Sequence, residues 1–281
     1  MKILVTGVKG QLGHDVLKEL KLRKIDCLGA DKEEFDITDA RATSRFIKKY
    51  RPDAVIHCSA YTAVDKAEDE PEICMAVNAG GTRNIASVCK EIDAKMIYIS
   101  TDYVFPGKGS KDYDVDDPTG PLNVYGKSKL EGELAVRELL QKYFIVRISW
   151  VFGKNGNNFV KTMLRIGKER EVVNVVCDQI GSPTYTADLA KLLCDMVTTE
   201  KYGIYHATNE GFCSWAEFAE EIFKLSGYPT KVNPIPTSEY PAKAVRPLNS
   251  RMSKRSLDEA GFGRLPDWHD ALARYLNELG Q

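Results

Sequence analysis

Tyr125 and Lys129 stand four residues apart in the stretch 123–133, NVYGKSKLEGE. Helical spacing would put both on one face. A phenol beside an ammonium suggests acid–base chemistry. The cation favours the phenolate, lowers the phenol from its reference pKa of about 10, and yields a proton donor usable near neutral pH. Of the 13 tyrosines only Tyr125 has a lysine at that spacing. A surface tyrosine beside a solvated lysine is the competing reading, so context must decide. The stretch itself reads as a helix, with Asn123 as N-cap and an apolar face of Leu130, Leu134, Leu139 and Leu140.

That helix needs a frame. Residues 2–6, KILVT, read as a buried strand and run into Gly7, Gly10 and Gly13, after which Leu12, Val16, Leu17 and Leu20 give a helical pattern. A second strand, 25–30, ends on Asp31. Strand, glycine turn, helix, strand and acid form the layout of a dinucleotide-binding unit, although the spacing is G-x-x-G-x-x-G and not G-x-G-x-x-G. Glycine lets backbone approach a pyrophosphate, and the helix N-terminus offers free N–H groups. Asp31 would accept bonds from both adenosine ribose hydroxyls and repel a 2′-phosphate. NADH is therefore favoured, while the adjacent Lys32 keeps NADPH open.

The alternation continues with a helix over 39–50, strand 53–58, helix 71–92, strand 95–100 and strand 143–151. This predicts an α/β fold, a Rossmann-type doubly wound parallel sheet, with ligands at the carboxyl ends of its strands. Thr101 and Asp102 fall at such an end. Residues 106–122, rich in Gly, Pro and Asp, read as a surface loop and a candidate lid. Later helices are expected over 159–168, 187–199 and 214–226, the last opened by a Ser214–Glu217 capping box, with strands at 172–177 and 203–207. Residues 227–250 read as irregular, and two short helices end the chain. Residues 1–157 are expected to form the cofactor domain, with elements of about 171–208 returning to it. Residues 158–281 form a smaller, mainly substrate-binding part.

Composition narrows the function. With 39 basic and 40 acidic residues, no nucleic-acid surface is implied. No apolar run approaches the length of a membrane span. Seven scattered cysteines without C-x-x-C spacing, and an N-terminus without a signal-peptide pattern, suggest free thiols and a cytoplasmic location. The four histidines lack metal-ligand spacing, and His57 reads as a core residue.

Glycine turn, Asp31, Thr101 and Tyr125-x-x-x-Lys129, in this order, resemble the extended short-chain dehydrogenases/reductases. More narrowly, GQLG (10–13), SAYTAVDKAE (59–68), STDYVF (100–105), YGKSKLEGE (125–133), RISWVFG (147–153), NNFVKTM (157–163), DQIGSPT (178–184) and RPLNS (246–250) look like the dTDP-4-dehydrorhamnose reductase family. The resemblance runs from Lys2 to about Leu276. It implies NAD(P)H-dependent reduction of a 4-keto sugar nucleotide to dTDP-L-rhamnose. Tyr125 would protonate the C4 oxygen, Lys129 would hold the nicotinamide ribose, and Thr101 would hydrogen-bond the same oxygen. Gly7, Gly10, Gln11, Leu12, Gly13, Asp31, Asp36, Ile37, Ala60, Tyr61 and Thr62 would contact the cofactor. Asp102, Tyr103, Trp150 and Val64 would line the sugar pocket, and Arg246 would meet the substrate diphosphate. Ser59 and Ala60 depart from the two small residues common there, as does Tyr61 from a frequent His. Some members bind magnesium at a dimer interface. Here His14 and Asp15 stand in that region, so no metal is expected, while a homodimer is one assembly open to the chain.

Other readings share the fold. A related dehydratase carries an Asp-Glu pair after the threonine, and Asp102–Tyr103 breaks that pair. A nucleotide-sugar epimerase is excluded less firmly. A non-catalytic regulatory subunit resembling that of methionine adenosyltransferase is opposed by the intact Thr101, Tyr125 and Lys129.

Overall fold

The computed structural model describes residues 1–280. In chain order its first elements are β1 (Lys2–Thr6), α1 (Gln11–Leu22), β2 (Asp26–Ala30), α2 (Ala40–Tyr50), β3 (Ala54–His57), α3 (Val64–Ala67), α4 (Pro71–Met75), α5 (Thr82–Ile92), β4 (Lys95–Thr101), α6 (Val124–Leu139) and β5 (Tyr143–Ile148). There follow β6 (Val151–Phe152), α7 (Phe159–Glu169), β7 (Val172–Val176), β8 (Ile180–Gly181), β9 (Thr184–Tyr185), α8 (Thr186–Val197) and β10 (Gly203–His206). The last are β11 (Cys213–Ser214), α9 (Trp215–Leu225), β12 (Lys231–Ile235), α10 (Arg255–Glu259) and α11 (Trp268–Leu279).

Six strands pair in the order β2-β1-β3-β4-β5-β10, all parallel. Their near-continuous apolar runs are what two-sided burial requires. Ile3, Val5, Ile56, Ile97 and Val146 face a core shared with α1 and α8. Leu4, Val55, Met96, Tyr98 and Ile145 face the opposite core, which includes residues of α2, α5 and α6. Alternate residues serve opposite faces, as the pleat dictates. The strand order reverses at β1, so a crevice opens between β1 and β3 at their carboxyl ends.

A second, smaller core gathers Val160 of α7, Phe218 of α9 and Trp268 of α11. Three short pairings surround it: β7 with β12, β6 with β9 and β8 with β11. Of the stretch 171–208, α8 and β10 join the first sheet or pack on it, whereas β7 pairs with β12 away from it. Gln281, the last residue of the expected 158–281 part, lies outside the described residues.

Four local readings change. The helix expected over 71–92 is interrupted by a π-helical turn at Ala76–Gly81, and the wider turn carries Asn78 to the backbone of Tyr61 and the hydroxyl of Ser128. The strand expected to reach Val151 stops at Ile148, because Trp150 adopts φ 50° and turns the chain. Within the supposedly irregular 227–250, Lys231–Ile235 forms a strand, its Pro234 tolerated where one side has no partner. The loop 106–122 is pinned and is not a lid. Gly107 O accepts from Leu248 N and Asn249 N, Tyr113 N donates to Arg251 O, and Tyr113 stacks on Phe105 at 4.4 Å.

One buried ion pair fastens α6 to the sheet. Arg147 of β5 donates to both oxygens of Glu133, at 2.9 and 2.8 Å, and Ser100 of β4 adds a third bond at 2.5 Å. Arg147 also reaches Val115 O at 3.0 Å. Replacing one member strands a buried charge, so Glu133→Gln is expected to lower unfolding stability by about 3 kcal/mol. Urea denaturation measures it, and a loss below about 1 kcal/mol would show that the pair carries little.

Candidate active site

A cleft of about 950 Å³ opens at the carboxyl ends of the central strands. At its floor β1 turns into α1. Gly7 adopts φ +72°, and a Cβ there would lie 2.8 Å from Ser59 N. A Cβ on Gly13 would come 2.3 Å from Gly7 O. Only bare backbone fits this turn, which explains the glycine spacing. Gly10 starts α1, and no side chain among the described residues caps it. Gln11, Leu12 and Gly13 line the cleft beside it, leaving first-turn N–H groups for an anion. Asp31 stands at the end of β2, its carboxylate accepting from Lys9 N and Lys32 N, both at 2.9 Å. Asp36 and Ile37 follow on the same wall, and Ala60 and Thr62 face them from the loop after β3. Glycine cradle, helix N-terminus and ribose-side acid together fit a nicotinamide dinucleotide.

The catalytic candidates meet at the other end. Asn123 caps α6 by accepting from Gly126 N at 2.8 Å, so the helix begins one residue before Tyr125. Tyr125 and Lys129 project into the cleft, and Thr101, the last residue of β4, lies beneath them. Gly126 and Gly132 permit this approach, since a Cβ on either would come 2.3 Å from Tyr103 O or the Tyr98 hydroxyl.

The electrostatics differ from the sequence expectation. Burial pushes the Tyr125 phenol up, and the neighbouring Asp102 carboxylate pushes it further, while a hydrogen bond with Thr101 acts against both. Lys129 does not pull it down. Its ammonium is buried, sits 4.2 Å from the Tyr98 ring centroid, and is lowered to about 7 by burial, against the opposing pull of Glu133. The phenol is thus held protonated, the form a proton donor requires. Asp102, also buried, is raised to about 6 by burial, with hydrogen bonds from Ser250 and Thr101 opposing.

Val64, Asp102, Tyr103 and Trp150 line the same cleft. Trp150 stacks on Trp215 at 3.8 Å, and Gly181 leaves room behind its ring. Two expected contacts are not brought in. Tyr61 turns its hydroxyl to Glu70 at 2.9 Å. Arg246 is held by both oxygens of Asp65, at 3.0 and 2.7 Å. Cleft residues missed in the sequence include Phe35, Ile73, Val77 and Ser149, apolar or small residues that carry no motif signal. His57 is a core residue, bonded to Thr6 and Thr82 and pushed down to about 3 by burial. Among the described residues no group of three or more His, Cys, Asp or Glu is placed to hold a metal, and no helix is long and apolar enough to cross a membrane.

A doubly wound sheet, a dinucleotide turn at its switch point and a Thr–Tyr–Lys set at the cleft define an extended short-chain dehydrogenase/reductase. The family described as RmlD substrate binding domain matches residues 1–281, and the chain belongs to that family. It is 42% identical to a dTDP-4-dehydrorhamnose reductase of Streptomyces griseus, over 98% of this chain and 93% of that one. Among solved structures, a dTDP-4-dehydrorhamnose reductase of Clostridium acetobutylicum is 40% identical with a TM-score of 0.98, and both chains are covered completely. One of Bacillus anthracis, in complex with NADP, is 45% identical with a TM-score of 0.96, covering 99% of each chain.

Gly13→Ala is expected to weaken nicotinamide nucleotide binding at least about tenfold by forcing the turn apart. Fluorescence titration with NADH and NADPH reads this directly, and wild-type affinity would contradict the cradle.

Proposed function

We propose that this chain reduces the 4-keto group of dTDP-4-dehydro-6-deoxy-L-mannose with NAD(P)H, giving dTDP-L-rhamnose, the last step in making that sugar nucleotide. The observation that carries the reading is the convergence of Thr101, Tyr125 and Lys129 at the mouth of a dinucleotide cleft, in a chain that belongs to this family over its whole length.

NAD(P)H, when bound, supplies the hydride that reaches C4. Tyr125 Oη, kept protonated by burial, gives its proton to the C4 oxygen as negative charge grows there. Lys129 Nζ binds the nicotinamide ribose and opposes the charge left on the phenolate. Thr101 holds the phenol in place from below. Asp102, Tyr103, Val64 and Trp150 shape the sugar pocket. Gly7, Gly10, Gln11, Leu12, Gly13, Asp36, Ile37, Ala60 and Thr62 bound the cofactor side, and Asp31 receives the adenosine ribose hydroxyls. A substrate diphosphate that used Arg246 would have to draw it from Asp65. In this reading residues 1–157, joined by α8 and β10, form the cofactor part, and the remainder carries the substrate. The balance of 39 basic and 40 acidic residues supports a small-molecule partner and not a nucleic acid.

The test is oxidation of NADH or NADPH with dTDP-4-dehydro-6-deoxy-L-mannose, followed by absorbance. Turnover is expected, and no oxidation with either cofactor sinks the reading. Tyr125→Phe is expected to cut kcat by about 10²-fold or more; wild-type rates in that variant would remove Tyr125 from the chemistry. Asp31→Ala should move the NADH-to-NADPH ratio of kcat/KM toward NADPH. An unchanged ratio would mean that Asp31 does not read the ribose.

A further inference from the structure

We infer that Ser250 is a positioning residue for this reduction: through Asp102 it fixes the direction of the Thr101 hydroxyl beneath Tyr125. The inference rests on the reaction proposed above.

Ser250 Oγ donates to Asp102 Oδ2 at 2.5 Å, and Thr101 Oγ1 donates to Asp102 Oδ1 at 2.9 Å. A hydroxyl has one proton. With the Thr101 proton committed to Asp102, only lone pairs remain on that oxygen, and one of these takes Tyr103 N at 3.3 Å. With its proton on Asp102, Thr101 is not free to donate to the sugar oxygen while that carboxylate stays ionised, which alters the role its family resemblance implies. Ser250, Asp102 and Thr101 are all buried. The titratable groups facing the carboxylate are Tyr103 beside it and Tyr125 from α6, and no cation among the described residues pairs with it.

Ser250 is itself fixed from across the cleft. Its N–H donates to Ile180 O at 2.7 Å, and Ile180 N donates to Leu248 O at 2.9 Å. Gly181 makes room, since a Cβ there would come 3.0 Å from that of Ser250 and 2.9 Å from the Trp150 ring. The RPLNS stretch thus ties the substrate side to the end of β4.

The test compares Ser250→Ala in the wild-type and Asp102→Asn backgrounds. In the first, kcat is expected to fall about tenfold with the KM for NAD(P)H unchanged. The acid limb of the kcat profile should move to higher pH, because the carboxylate loses a donor. In the second, Ser250→Ala should cost nothing further, since Ser250 acts through Asp102. Equal losses in both backgrounds, or no loss in the first, would overturn the inference. A ¹³C NMR titration of the Asp102 carboxyl, with and without Ser250→Ala, separates the two readings. If wild-type protein fails to turn over, the proposed reaction falls. The Ser250–Asp102 linkage then still stands on an upward shift of that carboxyl and falls on its absence.

Discussion

The buried contact of Glu133 with Arg147 and Ser100 sets the position of everything in the catalytic half of the cleft. It ties α6 to β4 and β5 at once, and through Val115 O it ties down the loop that leads into α6. Two charges leave water to make it, and they are tolerated because the Glu133 oxygens and the guanidinium find several partners, Phe105 among them as an aromatic face 4.9 Å away. One and two turns earlier on the same helix stand Lys129 and Tyr125. The stretch YGKSKLEGE is therefore a tyrosine and a lysine facing the cleft, two glycines that let the helix press against its neighbours, and the acid that clamps it.

The same closeness governs the electrostatics. Pressing α6 onto Tyr98 buries Lys129, with no carboxylate of the described residues at bonding distance, and burial disfavours its charged form. The phenol one turn before it is desolvated as well and stays protonated. A lysine four residues from a tyrosine suggests a lowered phenol only if both are solvated enough to hold charge.

Features written in local chemistry were legible in the sequence. The strand-turn-helix at Gly7–Gly13 depends on residues adjacent in the chain, as does the Asn123 cap, and the Ser214–Glu217 capping box forms as read. Thr101 and Asp31 fall at strand ends, which periodicity locates well. What escaped depends on partners far away. Arg246 meets Asp65, Ser250 meets Asp102, and Lys231–Ile235 becomes a strand only because β7 lies beside it. The π-helical turn is invisible to a 3.6-residue pattern because it adds one residue without breaking the apolar spacing on either side.

The left-handed turn at Trp150 has an optical consequence. It lays one indole flat on another, Trp215, at 3.8 Å, and the chain has only three tryptophans. Two parallel indoles in a fixed chiral arrangement couple their transitions and give paired circular-dichroism bands of opposite sign. The wall of the cleft thus carries its own chromophore, and a movement of the ring by a fraction of its width would register as a change of ellipticity without any label.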